Sequence, residues 1–300
     1  MNKKAYLSII LGASFWGLIS IFVQGLYSFG FNSTEVVTLR VSTAAVLMVV
    51  YVFLTDKNVF KVKLKDIPYF IGTGVLSIVF FSWCYFTAIQ IIPVSVAVIL
   101  LYTAPAFVAI LSRIIFKELL TRRKVIALGL TLTGIILIVG WPQADGKVSF
   151  LGLLLGLGSG FGYSLYSIFG KAALHKYSSL TITTYSFIFA SVFMLPLSKL
   201  WTKSHLFNGK IVWLYIIGLG LIPTVLAYIF YTIGLSHIES SKAAITATVE
   251  PLVATGVGVL LYNEVLSLRH LGGMILVILA IILINKKSEE NVKIKNVNYR

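Results

Sequence analysis

Long apolar runs, interrupted by short polar or charged segments, make up almost the whole chain. Ten such runs predict helices with cores at about 5–27, 34–54, 67–89, 94–116, 124–141, 149–172, 180–200, 211–235, 240–261 and 267–285. Each is close to the ~20 apolar residues needed to cross the hydrocarbon core of a bilayer. Strands of a membrane barrel would be half as long and would alternate in polarity; these runs do not alternate. The widest breaks are Thr55 to Asp66, Lys117 to Lys124, Trp141 to Ser149 and Trp201 to Lys210, and the tightest are Ile92–Pro93 and His237–Ser240. Lys3 and Lys4 precede the first run, as in a signal peptide. That run is long and continuous, however, and no small-residue cleavage site follows it, so it reads as a retained first helix.

Composition agrees with this pattern. Of 300 residues, 58% are hydrophobic and 12% charged, and the mean hydropathy is +0.95; soluble chains carry about 25% charged residues. A soluble enzyme, a disordered chain and a disulfide scaffold are excluded, and Cys84 is the only cysteine. The net charge of +15 is explained by loop placement rather than by nucleic-acid binding. With both termini on the cytoplasmic side, 19 of the 25 Lys and Arg residues fall on that side and 5 on the other, with Arg40 inside the second span. Basic residues collect in cytoplasmic loops, so the expectation is a multi-pass protein of the cell inner (cytoplasmic) membrane with both ends inside.

The sequence also repeats. Shifted by 146 residues, Tyr85 meets Tyr231, Ser95 meets Ser241, Ala97 meets Ala243, Pro105 meets Pro251, Glu118 meets Glu264 and Arg123 meets Arg269. The Pro and Glu are 13 residues apart in both copies. Five helices per copy is an odd number, so the second copy enters the membrane from the opposite side. The expected fold is an all-α membrane protein of ten transmembrane helices arranged as two inverted five-helix repeats, residues 1–141 and 149–285, followed by a cytoplasmic tail, 286–300. Inverted repeats of this kind are common in secondary transporters, whose site lies near the midplane between the halves.

At this point the chain resembles the drug/metabolite transporter superfamily, in its ten-helix EamA-type branch. The residues that carry the resemblance are Phe15–Trp16–Gly17, Arg40, and the repeated Pro105/Glu118 and Pro251/Glu264. The resemblance implies a central cavity, fifth and tenth helices at the periphery, and efflux of small metabolites or amino acids. Many members carry Gly before the repeated Glu; here Lys117 and Asn263 stand there.

Glu250 is the sharpest candidate for chemistry. It lies about ten residues into the ninth span, where a carboxylate costs a few kcal/mol unless it faces a cavity or a partner. It could bind a substrate amine or carry a proton, or it could make a structural hydrogen bond. Arg40 could hold a carboxylate through two parallel hydrogen bonds, snorkel to the interface, or pair internally. Aromatic residues near mid-span suit a cavity for amphipathic solutes; Trp16, Trp83, Tyr85, Tyr102, Tyr163, Tyr166, Tyr228 and Tyr231 are candidates to bind substrate alongside Arg40 and Glu250. Pro105 and Pro251 are expected to kink their helices and free carbonyls for the cavity. Gly152, Gly156 and Gly160 read as a close-packing stripe, and Glu118 and Glu264 as helix-end salt bridges.

Neither a cofactor nor a metal site is expected, and no catalytic or nucleotide-binding motif is present. The reading is a secondary transporter, an exporter of small organic metabolites such as amino acids, working by alternating access through a central midplane cavity. Its partners would be a small-molecule substrate and the lipid bilayer, with proton coupling through Glu250 and homodimer formation left open. The alternatives are an exchanger or importer of an anionic or phosphorylated metabolite, an intramembrane lipid-modifying enzyme, and a scaffold that does not transport.

Overall fold

The computed structural model describes residues 3–140 and 149–285, so the tail at 286–300 and the loop carrying Lys147 lie outside the described residues. Ten helical crossings follow in chain order. The first five are α1 (Lys3–Ser28), α2 (Ser33–Thr55), α3 (Leu64–Ile91), α4 (Val94–Ile115) and α5 (Arg122–Val139). The second five are α6 (Phe150–Ala173), α7 (Ser179–Ser198), α8 (Lys210–His237), α9 (Ser240–Tyr262) and α10 (Leu268–Asn285). Nine of them are long and apolar enough to cross a membrane; α5 spends its first turn on Arg122, Arg123 and Lys124. An even number of crossings puts Lys3 and Asn285 on one face, called here the terminal face. The opposite face is the far face.

The repeat seen in the sequence governs the architecture. Adding 146 to the limits of α3, α4 and α5 gives 210–237, 240–261 and 268–285, which match α8, α9 and α10 to within one residue. The caps repeat too. The Asn32 side chain accepts from Glu35 N–H at the start of α2, and the Ser178 side chain accepts from Thr181 N–H at the start of α7. Each bond satisfies one of the donors that a helix start leaves open. Packing obeys the same symmetry. Helix α1 lies against α8, and its counterpart α6 lies against α3. Helices α2 and α7, α4 and α9, and α5 and α10 meet their own counterparts.

Association between helices in lipid depends on close approach of small residues, because lipid tails are as apolar as leucine. The α5–α10 contact illustrates this. A Cβ built on Gly134 would lie 2.7 Å from the Gly273 carbonyl, and one on Gly273 would lie 2.5 Å from the Gly134 carbonyl. The repeat mates of this pair are Ala280 and Ala127, both fully buried in one cluster. Gly134→Val should therefore force the two helices apart, with an overpacking cost of about 1–3 kcal/mol. The expected result is a melting temperature lower by several degrees. Gly129→Ala on the same helix meets nothing within 4 Å and should leave it unchanged. The glycine stripe of α6 is likewise a packing face: a Cβ on Gly160 would meet the Thr103 hydroxyl at 2.6 Å and the Leu100 carbonyl at 2.7 Å on α4.

Three kinds of irregularity shape the centre. Helix α1 is broken at Leu18. Helix α4 is broken at Tyr102–Thr103 and α9 at Ala247–Val249, so that Pro105 and Pro251 each fall in the first turn of a new helical segment. A proline is tolerated there because the first N–H groups of a helix have no partner to lose. The prolines thus mark where the helices restart. Finally, α3 and α8 each contain a π-helical stretch, Gly72–Val79 and Leu221–Leu226, at equivalent places in the two repeats. The second holds Pro223, whose missing N–H a widened turn accommodates.

Candidate functional site

The main buried cluster draws on α1, α2, α3, α6, α7, α8 and α9. At its centre is Trp16, just before the break in α1. Its ring centroid is 5.1 Å from that of Tyr228, 5.2 Å from Tyr231 and 6.0 Å from Tyr163. Tyr166 meets Tyr228 edge-on at 4.8 Å. Edge-on and tilted contacts at these distances are the geometry that ring quadrupoles favour. The phenols are satisfied locally: Tyr166 pairs with Thr232 at 2.8 Å, and Tyr231 with Ser167 at 2.6 Å. The buried Trp16 indole N–H has no acceptor among the described residues.

A void of ≈ 10 Å³ is lined by Trp16, Ser77 and Phe81 from the first repeat and by Tyr163, Tyr166, Ser167, Tyr228 and Tyr231 from the second. That is room for about one water. Both repeats border it. A much larger hollow of ≈ 570 Å³ lies at the terminal-face surface, between Lys61, Lys63, Lys65, Lys176, Asp56 and neighbouring loop residues. Its lysines are solvated loop side chains, and it lies away from the aromatic centre. There Lys176 bonds Asp66 at 2.6 Å, and this hydrogen bond holds the Lys176 ammonium above its ordinary pKa.

The two deep charges meet the ring cluster at different tyrosines, Glu250 at Tyr163 and Arg40 at Tyr228. The Glu250 carboxylate accepts from the Tyr163 hydroxyl at 3.3 Å, and the Tyr102 phenol reaches the same carboxylate. The buried Arg40 turns inward rather than snorkelling. Its Nε donates to Thr224 Oγ1 at 3.0 Å, and its guanidinium sits 5.8 Å from the centre of the Tyr228 ring. Thr224 belongs to the π-helical stretch of α8, and its hydroxyl donates in turn to the Leu219 carbonyl at 2.7 Å. The repeat mate of Arg40, Ser186, makes the corresponding contact with the π stretch of α3 by donating to Thr73 at 2.6 Å. No ion pair joins Arg40 to Glu250 among the described residues. Successive contacts through Tyr228, Trp16 and Tyr163 connect them.

Of the candidates read from sequence, Trp16, Arg40, Tyr163, Tyr166, Tyr228, Tyr231 and Glu250 come together, with Tyr102 beside Glu250. Tyr85 is half-buried on the Phe81 side, 6.1 Å from that ring. Trp83 does not join them: it is 60% exposed on the outer surface of α3 and stacks on Phe80. Ser77, Phe81, Ser167, Thr224 and Thr232 belong to the centre but were not singled out by sequence reasoning. The clustered Gly72, Gly74, Gly218, Gly220 and Pro223 are the signal that could have flagged the π stretches holding Ser77 and Thr224.

The helix-end glutamates divide. Glu118 accepts from Ser240 N–H at 2.7 Å, Ser241 N–H at 3.3 Å and Ser241 Oγ at 2.6 Å, and it faces Lys124 at 3.7 Å. Burial pushes its carboxyl up, but these hydrogen bonds and Lys124 outweigh burial and hold it below the usual carboxylate range. Lys124 and Lys242 both pair with Glu239, at 2.8 and 3.2 Å. The salt-bridge expectation fails for Glu264, which is exposed and has no ion pair among the described residues.

An inverted ten-helix bundle with a polar and aromatic void bordered by both halves is an arrangement found in many membrane transporters. The comparisons with known proteins agree. The chain matches the EamA-like transporter family over residues 3–140 and 150–286, and it belongs to that family, within the drug/metabolite transporter superfamily. It is 30% identical to an uncharacterized transporter of Archaeoglobus fulgidus, covering 90% of this chain and 92% of the relative. It is 27% identical to the uncharacterized transporter YdfC of Bacillus subtilis, over 83% of this chain and 80% of that one. A protein of known crystal structure shares the fold with a TM-score of 0.76 and 16% identity, covering 95% of this chain and 97% of the other. The chain is therefore a multi-pass membrane transporter of a small-molecule substrate rather than an enzyme.

Proposed function

We propose that this transporter exports small amphipathic metabolites, with amino acids as the leading class, by alternating access around the void at Trp16. The observation that carries the reading is the placement of one carboxylate, Glu250, and one guanidinium, Arg40, against different tyrosines of one ring cluster whose void both repeats border. That arrangement complements a zwitterion with an apolar side chain: amine toward Glu250, carboxylate toward Arg40, side chain among the rings. The indole N–H of Trp16 supplies one further donor. A phosphorylated solute would call for several cations, and among the described residues Arg40 is the one basic side chain at this centre. The charge count supports a cytoplasmic terminal face in the inner membrane. Glu250 is the group proposed to carry a coupling proton.

Flux of labelled amino acids from proteoliposomes, preceded by a thermal-shift screen of the purified protein, tests the reading. A ligand at 100 times its Kd stabilises by about 2.7 kcal/mol, which is readily seen as a raised melting temperature. An amino acid that both raises the melting temperature and leaves the vesicles faster than from protein-free controls is the expected result. Hits confined to phosphorylated solutes would overturn it.

A further inference from the structure

The loops after α4 and α9 are built alike. Lys117 and Asn263 both adopt the left-handed conformation, with φ of 57° and 54°. The next N–H closes the same turn in each copy: Glu118 to the Ser112 carbonyl at 3.2 Å, and Glu264 to the Gly258 carbonyl at 3.1 Å. The following caps also match, with Lys124 N–H to Thr121 Oγ1 and His270 N–H to Ser267 Oγ both at 3.4 Å. The carboxylates, however, take different partners. Glu118 reaches across the terminal face to the first N–H groups of α9. Glu264 lies folded over Gly258, where an added Cβ would sit 2.7 Å from its carboxyl carbon. The first turn of α4, the target that the symmetry designates for Glu264, has no side-chain cap.

The helices these carboxylates address differ in the same sense. From Ser240 to Thr248 every residue except Lys242 is buried. In the mates, Val94 to Tyr102, only Val96 and Ala97 are buried. The bundle is thus tight toward the terminal face and looser toward the far face, and the tight side is the one whose carboxylate is engaged.

We propose that Glu118 and Glu264 are alternating latches. Glu118 on the Ser240–Ser241 end of α9 holds the terminal face shut. In the opposite state Glu264 takes the Val94 and Ser95 N–H groups and the Ser95 hydroxyl, and holds the far face shut. This rests on the alternating-access reading above but needs no particular substrate. The two latches share the same donors, two backbone N–H groups and a serine hydroxyl, because Ser95 and Ser241 are repeat mates. They differ in the neighbouring side chain, Lys124 in one copy and His270 in the other.

A thiol probe tests the proposal without solute. Ala244 is buried between Val108 of α4 and Ile168 of α6 in the closed terminal half. In a Cys84→Ser background, A244C reports opening of that half to a water-soluble maleimide in nanodiscs. Charge-assisted hydrogen bonds of this kind shift an equilibrium by tenfold or more, so Glu118→Ala should speed labelling at least about tenfold. Ser241→Ala, a milder change should Glu118→Ala fold poorly, should act in the same direction and less strongly. Adding Glu264→Ala to the Glu118→Ala protein should slow labelling again. Ser95→Ala should do the same, and the two together should do no more than the stronger one alone. Labelling indifferent to Glu118 and Ser241, or to Glu264 in the unlatched background, sinks the latches. If A244C is still labelled during turnover, alternating access survives that result; if it reacts under no condition, both readings fail.

Discussion

Replacing Glu250 with glutamine is expected to abolish uphill transport driven by a proton gradient while sparing solute-for-solute exchange. The carboxylate lies about ten residues, or roughly 15 Å, along α9, at a depth where an ionised acid needs partners. Its partners are the Tyr163 hydroxyl at 3.3 Å and Tyr102, both of which also suit an amide oxygen. The substitution therefore preserves shape and hydrogen bonding and removes the proton-carrying state alone. Gradient-driven accumulation should fall at least about tenfold, whereas counterflow between equal pools should persist, because exchange requires no net proton movement. The comparison is made in proteoliposomes with an imposed pH difference. Uphill flux as large as that of the unaltered protein would remove Glu250 from the coupling role.

Trp16→Phe carries the second large effect, with opposite signs for stability and binding. The indole N–H is buried without an acceptor, and an unpaired buried donor costs about 1–3 kcal/mol. A phenyl ring keeps the stacking against Tyr163, Tyr228 and Tyr231 and removes that cost. The empty protein should melt a few degrees higher. If the N–H is reserved for a carboxylate or carbonyl of the solute, affinity should fall about tenfold in the same variant. Trp16→Ala should instead destabilise by about 3–5 kcal/mol, since it leaves a large hole in the ring cluster. Melting curves with and without the solute measure both quantities. A phenylalanine variant that binds as tightly as the unaltered protein would make the indole N–H a packing defect rather than a ligand contact.

Much of this was legible before any coordinates. The helix ends predicted from polar breaks lie within a few residues of the structural ones, and the 146-residue repeat anticipated which helices are counterparts. Glu250 stood out because an acid at that depth needs a reason. Trp83 shows where the reasoning stopped. Its mid-span position resembled that of Tyr163, yet it points outward and Tyr163 inward. In a soluble helix the polar face reveals orientation; here lipid and protein interior are equally apolar, so the pattern sets a residue's depth but not the direction it faces. Glu118 and Glu264 show a second limit. They are identical in type, spacing and local turn, yet one carboxylate is engaged across the bundle and its mate is exposed.

Residue order alone thus established ten crossings, their inverted pairing, and the positions of Arg40 and Glu250 within their spans, since run length and charge placement are properties of the chain itself. Packing settled which rings meet, which tyrosines the two deep charges contact, where the helices widen at Thr224 and Ser77, and which of two equivalent carboxylates is engaged. Those outcomes depend on contacts between residues far apart in the chain, such as Arg40 with Thr224 and Glu118 with Ser241. Local hydrophobicity holds no record of them.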